Sequence, residues 1–340
     1  MSRTSSYLSR LITILPLMLI KSQAAFAWGH EGHQLIGSIA EARLSAHARQ
    51  QVAQLLGFDL GTAGLWADCV RSVVRKSDGT FEYAPDARHP EYAYPCRPFQ
   101  TPAEMERMED FVSRNWSNCP AEPGHGCHET YHYTDVAIQR DRYGAFAGTS
   151  DHDVVSAIGA CIAVLQGRPA PRPFSIKDKR EALLLLTHFV GDVHQPLHAG
   201  AVYLDSSGRL VDPDATADDP DTHTAGGNRI RDRYVNLHYE WDQVPHTPGC
   251  CATAALIRAA DAIPITGGPL ESWAASWATE SIILARAAFA GSSFVPDGPG
   301  HWRIEFDHPD AHRKSRESIQ RSQLIKAGAR LSQLLNALWH

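Results

Sequence analysis

Apolar positions recur at helical spacing through most of the chain. From Gln34 to Leu56, the residues Leu35, Ile39, Ala42, Leu55 and Leu56 keep the three-to-four-residue step of one helix face, and Gly57 follows as a stop. Asp151 to Leu165 reads as a helix with Asp151 as its cap. Glu181 to Val193, Ser272 to Phe289 and Ser318 to Leu338 read as three further amphipathic helices. Strand-like alternation is scarce. Two stretches break the helical pattern. Residues 78–128 are rich in Pro, Gly, Asp and aromatics, with one helical patch near Glu104 to Phe111, and form most of a loop-rich insertion over about 72–128. Tyr203 to Gly227 is an acidic Asp/Pro/Thr/Gly loop. There is no internal repeat and no linker sharp enough to divide the chain. The pattern predicts one mainly α domain with long loops over residues 28–340.

The first 27 residues have a different character. Arg3 and Arg10 precede an apolar run from Leu11 to Ile20, and Ala25-Phe26-Ala27 offers a small-x-small cleavage pattern. This is the form of a secretory signal peptide, cut after Ala27. The run is about half of the roughly 20 residues that a membrane span needs. No later segment is long and apolar enough either, so the expected mature form is secreted or periplasmic, without a membrane anchor. Cleavage would remove Arg3, Arg10 and Lys21 and no acidic residue, so 32 Lys+Arg against 38 Asp+Glu would become 29 against 38. That balance argues against a protein that coats nucleic acid by charge alone.

Seven cysteines lie beyond the cleavage site. An oxidising compartment permits disulfides, and the odd count leaves at least one thiol over. Cys119 and Cys127 bracket a Pro/Gly-rich stretch and make a plausible short-loop pair. No C-x-x-C occurs, which argues against a four-thiolate zinc site. Asn115-Trp116-Ser117 has the form of a glycosylation sequon and carries no functional weight.

The 18 His are the compositional oddity, since imidazole is the commonest metal ligand. In Thr187-His188-Phe189-Val190-Gly191-Asp192-Val193-His194-Gln195-Pro196-Leu197-His198, residues His188 and Asp192 stand four apart, on one helix face. Pro196 ends or kinks the helix, so His198 can turn toward the same space. Flanking Leu183 to Leu186 and Phe189 bury the segment, and buried imidazoles beside a carboxylate need partners. His238 and Asp242 repeat the spacing of four. Trp28-Gly29-His30-Glu31-Gly32-His33 places histidines beside glycines that admit close backbone approach. Asp68 in Trp66-Ala67-Asp68, and His132 in Tyr131-His132-Tyr133-Thr134-Asp135, add single donors that taken alone would be ordinary structural residues.

Together these motifs resemble the zinc-dependent single-strand-specific nucleases of the S-one / P-one family. The likeness runs from Trp28 to about Asp242. It rests on Trp-Gly-x-x-Gly-His, Trp-Ala-Asp-x-x-Arg, His-x-x-x-Asp-x-x-Gln-Pro-Leu-His, Gly-Gly-Asn and Asn-Leu-His-x-x-Trp-Asp, in that order. The resemblance implies a mainly α fold and three zinc ions. One would be held by Asp68, His132, His188 and Asp192. A second would share Asp192 and use His33 with the freed amino group and carbonyl of Trp28. The third would be held by His198, His238 and Asp242. Arg71 corresponds to the family's phosphate-contacting residue, so Asp68, Arg71 and Asp192 form the implied catalytic set. Tyr133 corresponds to a base-stacking aromatic and Asp135 to a base-contacting carboxylate, with Asn228 in the Gly-Gly-Asn stretch also facing substrate. The implied substrates are single-stranded DNA and RNA, cut to 5′-phosphorylated products, and 3′-nucleotides. A monomer is the default.

One departure is the long connection between Asp68 and His132, which contains His89, His125 and His128. His132 is preferred as the ligand because a family-like His-x-x-Asp-Val begins there. His30 and His194 are expected to support the ligands or meet solvent. The competing readings are a zinc-dependent phospholipase C, which shares the helical fold and would need an apolar approach surface, and a non-catalytic exported zinc-binding protein with closed sites.

Overall fold

A computed structural model describes residues 28–85, 93–121, 124–216, 218–245 and 251–340. The expected leader, His89 and Cys250 lie outside the described residues. Helices dominate: α1 His30–Ala42, α2 Ala46–Leu55, the single turns α3 Leu60–Ala63 and α4 Trp66–Cys69, α5 Pro102–Arg114, α6 Val154–Leu165, α7 Lys179–Asp192, α8 Leu237–Asp242, α9 Ala254–Asp261, α10 Trp273–Ala285 and α11 Pro309–Leu338. Strands are short: β1 Val73–Arg75, β2 Phe81–Tyr83, β3 Val136–Ala137, β4 Gly200–Ala201, β5 Tyr203–Leu204, β6 Leu210–Val211, β7 Ile230–Asp232, β8 Val235–Asn236, β9 Ser292–Pro296 and β10 Trp302–Phe306.

Several boundaries differ from the sequence pattern for local reasons. The expected helix over Gln34–Leu56 is two helices. Ser45 breaks it, because its hydroxyl accepts from the Ala48 N–H and starts α2 afresh. Asp153, two residues beyond Asp151, caps α6 by accepting from Ser156 N–H at 3.0 Å. The last helix begins at Pro309, not Ser318. Its first turns are almost wholly polar, so no apolar stripe announces them, while Pro309 sets the helical φ at the first position. The expected helical patch in the insertion is the 13-residue α5, capped by Thr101, with Met108, Phe111 and Val112 buried. The acidic loop Tyr203–Gly227 contains the antiparallel pair β5–β6. A four-stranded sheet is ordered β8-β7-β10-β9; β7 and β8 are too short to show as alternation, while β10 alternates apolar and polar over Trp302–Phe306.

At the centre is α7. Every residue from Glu181 to Asp192 is buried. Asp178 caps it, accepting from Glu181 N–H at 2.8 Å, and the Glu181 carboxylate receives both oxygens' bonds from Arg114 of α5. Six apolar side chains of α7 (Leu183, Leu184, Leu185, Leu186, Phe189, Val190) are essentially inaccessible. Their burial contributes on the order of 10 kcal/mol gross, which offsets the cost of carrying an imidazole and a carboxylate inside. They belong to a large apolar cluster with α1, α2, α6, α10 and α11. A second, smaller cluster gathers Leu197, Leu237, Trp241, Trp302 and Ile304.

The insertion is tied in at two points, by the disulfides Cys69–Cys96 and Cys119–Cys127. The second is the pair expected from the sequence; the first has no local signal. The sequon asparagine is structural: Asn115 is buried, bonded to Phe111 O, Ser175 O, Ser175 N–H and Tyr131 Oη. Among the described residues no helix is long and apolar enough to cross a membrane.

Candidate metal centre

Two groups of donors meet where the two apolar clusters adjoin. The first forms around α7, which carries His188 and Asp192 one turn apart. His188 Nε2 lies 3.1 Å from Asp192 Oδ2 and 3.7 Å from Asp68 Oδ1. His132, from the turn Cys127–His132, brings Nδ1 to 3.0 Å from Asp192 Oδ2 and 3.1 Å from His188 Nε2. His33 of α1 stacks on His188 with ring centroids 3.8 Å apart, and its Nε2 is 3.4 Å from Asp192 Oδ1. That stack requires a glycine opposite: a Cβ at Gly191 would lie 2.8 Å from His33 Nδ1. His33 therefore converges with Asp68 and His188 as well as with Asp192, a broader grouping than the motif comparison implies.

The second group comes from three short segments. His198 follows Pro196, and His238 and Asp242 lie one turn apart on α8. Their Nε2 atoms are 2.9 Å apart and stand 3.9 and 3.8 Å from the Asp242 carboxylate. The groups are linked, since His198 Nδ1–H donates to His132 O at 2.8 Å and Thr134 N–H donates to His198 O. The parallel pairing of β3 with β4 continues that register.

In three of the rings the second nitrogen fixes the chemistry of the first. His188 Nδ1 faces Gly64 O at 2.6 Å, His198 Nδ1 faces His132 O, and His238 Nδ1 faces Gly226 O at 2.8 Å. A carbonyl only accepts, so each Nδ1 carries the proton and each Nε2 presents a lone pair inward. Two such lone pairs 2.9 Å apart repel unless a cation lies between them. Gly226 delivers its carbonyl from a left-handed φ of 57°, where an added Cβ would strike Leu197 O. Burial holds the rings neutral: His132 and His198 fall well below the usual imidazole range, and His238 to about 4. Burial also pushes the Asp68 carboxyl up to about 6, opposed by His188 and Arg71, and pushes Asp192 and Asp242 well above the ordinary range. Both oxygens of Asp68, Oδ1 of Asp192 and Oδ2 of Asp242 are buried without a hydrogen-bond partner. Neutral nitrogen donors and uncompensated carboxylates in a dry site form a set deficient in positive charge. That set fits divalent ions of borderline softness such as zinc.

Other residues singled out from the sequence fall around this centre. Trp28 is fully buried, its indole N–H donating to Gly191 O at 2.9 Å, and Gly29 N–H donates to Asp242 O, so the Trp28 segment touches both groups. Arg71, one turn after Asp68, reaches to 3.9 Å from the Asp68 carboxylate and lines an open groove there. Tyr133 is 40% exposed. The Asp135 carboxyl is buried and pushed up to about 6 by that burial, eased by His223, Arg229 and the Gly226 N–H. Asn228 is half-buried, its amide donating to Ala225 O. Of the other histidines, His128 packs beside Phe111 and Trp116, and His125 binds Glu129. His194 is neither beside the ligands nor solvated: it is buried, with Nδ1 on Val190 O and Nε2 against Arg330. His30 is half-buried at the start of α1, and that burial lowers it to about 4.

Sequence reasoning gave no role to Gln195, whose amide donates to Asp242 Oδ1 at 2.8 Å and aims that carboxylate. Its signal was its place between His194 and Pro196 in the histidine motif. Gly64 had no such signal, because a backbone carbonyl at the end of a helical turn leaves no trace in residue type.

The fold is mainly α, and among the described residues its inward-facing, proton-poor His/Asp donors form three groups that could each hold a metal ion. The family can be given directly. The model of the S1/P1 nuclease family matches residues 28–340, and the chain belongs to that family. The chain is 26% identical over 224 residues to Endonuclease 2 of Arabidopsis thaliana, covering 63% of this chain and 54% of that one. It is 26% identical over 253 residues to Endonuclease 1 of the same plant, covering 69% and 59%. To Nuclease S1 of Aspergillus oryzae it is 24% identical over 241 residues, covering 68% and 59%. The chain thus spans little more than half the length of these curated relatives.

Proposed function

We propose that the protein is an exported, zinc-dependent nuclease that hydrolyses phosphodiester bonds of single-stranded DNA and RNA to 5′-phosphorylated products and removes phosphate from 3′-nucleotides. The observation that carries this reading is the convergence of carbonyl-locked imidazoles on buried carboxylates with oxygens left without a hydrogen-bond partner, with Arg71 beside them at an open groove. Three zinc ions would be held by Asp68, His132, His188 and Asp192; by Asp192, His33 and the main chain of Trp28; and by His198, His238 and Asp242. Bound zinc supplies Lewis-acid polarisation of phosphoryl oxygens and lowers the pKa of water. The residues of the chain do the rest. Arg71 neutralises charge that builds on the phosphate's equatorial oxygens. Tyr133 offers a face on which an unpaired base stacks, and a duplex would have to give up its own stacking to use it. Asp135 and Asn228 meet the edge of that base.

Two disulfides support an oxidising destination. Removal of residues 1–27 would free the Trp28 amine as a donor, since an acylated nitrogen has no lone pair to give. The protein acts as a monomer in this reading. The test is release of 5′-nucleotides from single-stranded DNA and RNA, and of phosphate from 3′-AMP, by protein beginning at Trp28. Each assay is repeated after chelation and after zinc return, with zinc content measured alongside. Zinc-restored hydrolysis at near three ions per chain is expected. Zinc bound without release of any nucleotide would sink the proposal.

A further inference from the structure

The Arg71 groove extends beyond the donor groups into the insertion. It encloses about 580 Å³, is bounded at one end by Asp68 and Arg71, and runs past Arg75 and Lys76 to Trp116 and His125. Tyr133, Asp135 and Asn228 do not line it, and Asp135 feels instead His223, Arg229 and Gly226 near the His238 end. The groove at Asp68 and Arg71 is thus lined by residues other than the base-binding candidates.

The character of this groove is unlike the rest of an acidic chain. Three cationic side chains follow one another along one short segment, Arg71, Arg75 and Lys76. Arg71 leaves a single turn of 3-10 helix, and β1 then carries the chain away in extended form. Rises of about 2 Å and 3.3 Å per residue in those two forms place Arg75 roughly 10 Å beyond Arg71, too far for both to serve one phosphate. Arg75 pairs across the hairpin with Phe81, and Phe81 meets Trp116 edge-on with centroids 5.3 Å apart. Arg75 and the half-buried indole of Trp116 both line the groove. Glu129 is answered by His125 at 2.7 Å and by Gly126 N–H, and Glu82 lies 3.1 Å from Lys76, with Asp78 and Glu109 also acting on that ammonium, so a phosphate there would displace Glu82. Both walls are anchored. Cys69, beside Asp68, is bridged to Cys96, and the turn bearing His125 is closed by Cys119–Cys127.

We infer that this groove is a polynucleotide track, in which Arg75 and Lys76 bind phosphates beyond the scissile one and Trp116 stacks a flanking unpaired base. Cationic grooves with interleaved aromatics hold single strands in this way. The inference rests on the proposed nuclease reading, and it makes the insertion a determinant of substrate length. A 3′-mononucleotide has no phosphate to place in the track; an oligonucleotide does.

The test compares wild type with Arg75→Glu/Lys76→Glu, a pair of exposed changes at the end of β1 and just beyond it, and with Trp116→Leu and Trp116→Phe. Two readouts are taken: the ratio of kcat/KM for a single-stranded hexanucleotide to that for 3′-AMP, and the anisotropy of a labelled phosphorothioate oligonucleotide titrated with each protein at several salt concentrations. The charge-reversed pair is expected to lower the ratio at least tenfold. It should also flatten the slope of log affinity against log salt by about 1.4, the equivalent of two phosphate contacts on a single strand. Trp116→Leu should weaken oligonucleotide binding at least fivefold, with Trp116→Phe restoring most of it. Because Trp116 also packs on Phe81, the charge pair decides the matter if the leucine variant does not fold. Unchanged ratio and salt slope in an active charge-reversed protein would overturn the track. If wild type cleaves no nucleotide, the proposed function fails instead; the binding titration then still reads the groove, and no charge-dependent binding of the oligonucleotide overturns it.

Discussion

The two donor groups are built in different ways. His188 and Asp192 ride on α7, a helix buried on every side and fixed by the large apolar cluster. His198, His238 and Asp242 stand on a single 3-10 turn and a six-residue helix, next to the smaller cluster of Leu197, Leu237 and Trp241. In the first group, packing of α7 sets most of the geometry, with one orienting bond from His188 Nδ1 to Gly64 O. In the second, hydrogen bonds set it: the carbonyls of His132 and Gly226 and the amide of Gln195 aim each donor. A stiff helix needs few orienting contacts, whereas short irregular segments need one for each ligand.

That contrast can be broken most severely at Asp192. Asp192→Asn removes the carboxylate nearest to His33, His132 and His188 at once, so at least a thousandfold loss of hydrolysis is expected, with bound zinc falling by about two ions per chain in metal analysis. A protein that keeps three ions and most of its rate would show that Asp192 does not join the sites. Asp242→Asn should strike only the second group. One ion should be lost and activity should fall on the order of a hundredfold, while the α7 ions survive chelator competition unchanged. Loss of all ions together would mean that the two groups load as one unit. A subtler probe is Gln195→Ala, which leaves every ligand in place and removes only the donor to Asp242; its zinc affinity is expected to fall about tenfold, at one site alone. The same truncation has no counterpart on α7, so equal weakening at both groups would erase the distinction.

The smallest effect concerns stability. His128 is buried beneath Trp116 and Phe111 and held down at about 4 by that burial. The unfolded chain takes up a proton near 6.5 that the folded one refuses, so this position favours unfolding progressively as pH falls from about 6.5 to about 4. The size is on the order of 2–3 kcal/mol. Urea melts of the chelated protein across that range should show a shallower pH slope in His128→Phe than in wild type; parallel slopes would mean that His128 is not a source of acid sensitivity.

Much of this arrangement was legible in residue order. The i,i+4 pairs His188/Asp192 and His238/Asp242 declare a shared helix face, and Pro196 explains how His198 turns back. Choosing His132 over His125 and His128 needed the surrounding motif, because three histidines within eight residues look alike by composition. The rest was hidden for physical reasons. Gly64 and Gly226 contribute through backbone carbonyls. Cys69 finds Cys96 across a fold that no spacing rule describes. The first two turns of α11 are almost uniformly polar and β7 and β8 are too short for a period to register, whereas β10 (Trp302-Arg303-Ile304-Glu305-Phe306) does alternate and was a legible strand that the helical reading passed over. Asp151 and Asp153 are equivalent caps on paper, and only the chain path selects the second.

Twelve consecutive residues of α7, Glu181 to Asp192, have no contact with solvent. Each is either a packing element or a donor, so that helix has no position at which change is free. Core truncations there cost several kcal/mol, enough to unfold a marginally stable protein. The hairpin of β1 and β2 is its exposed counterpart: Val74, Arg75 and Glu82 face solvent, so change there disturbs no core. Under the proposed function, that places adjustable side chains directly after Asp68 and Arg71, in the same stretch of chain as the fixed donors.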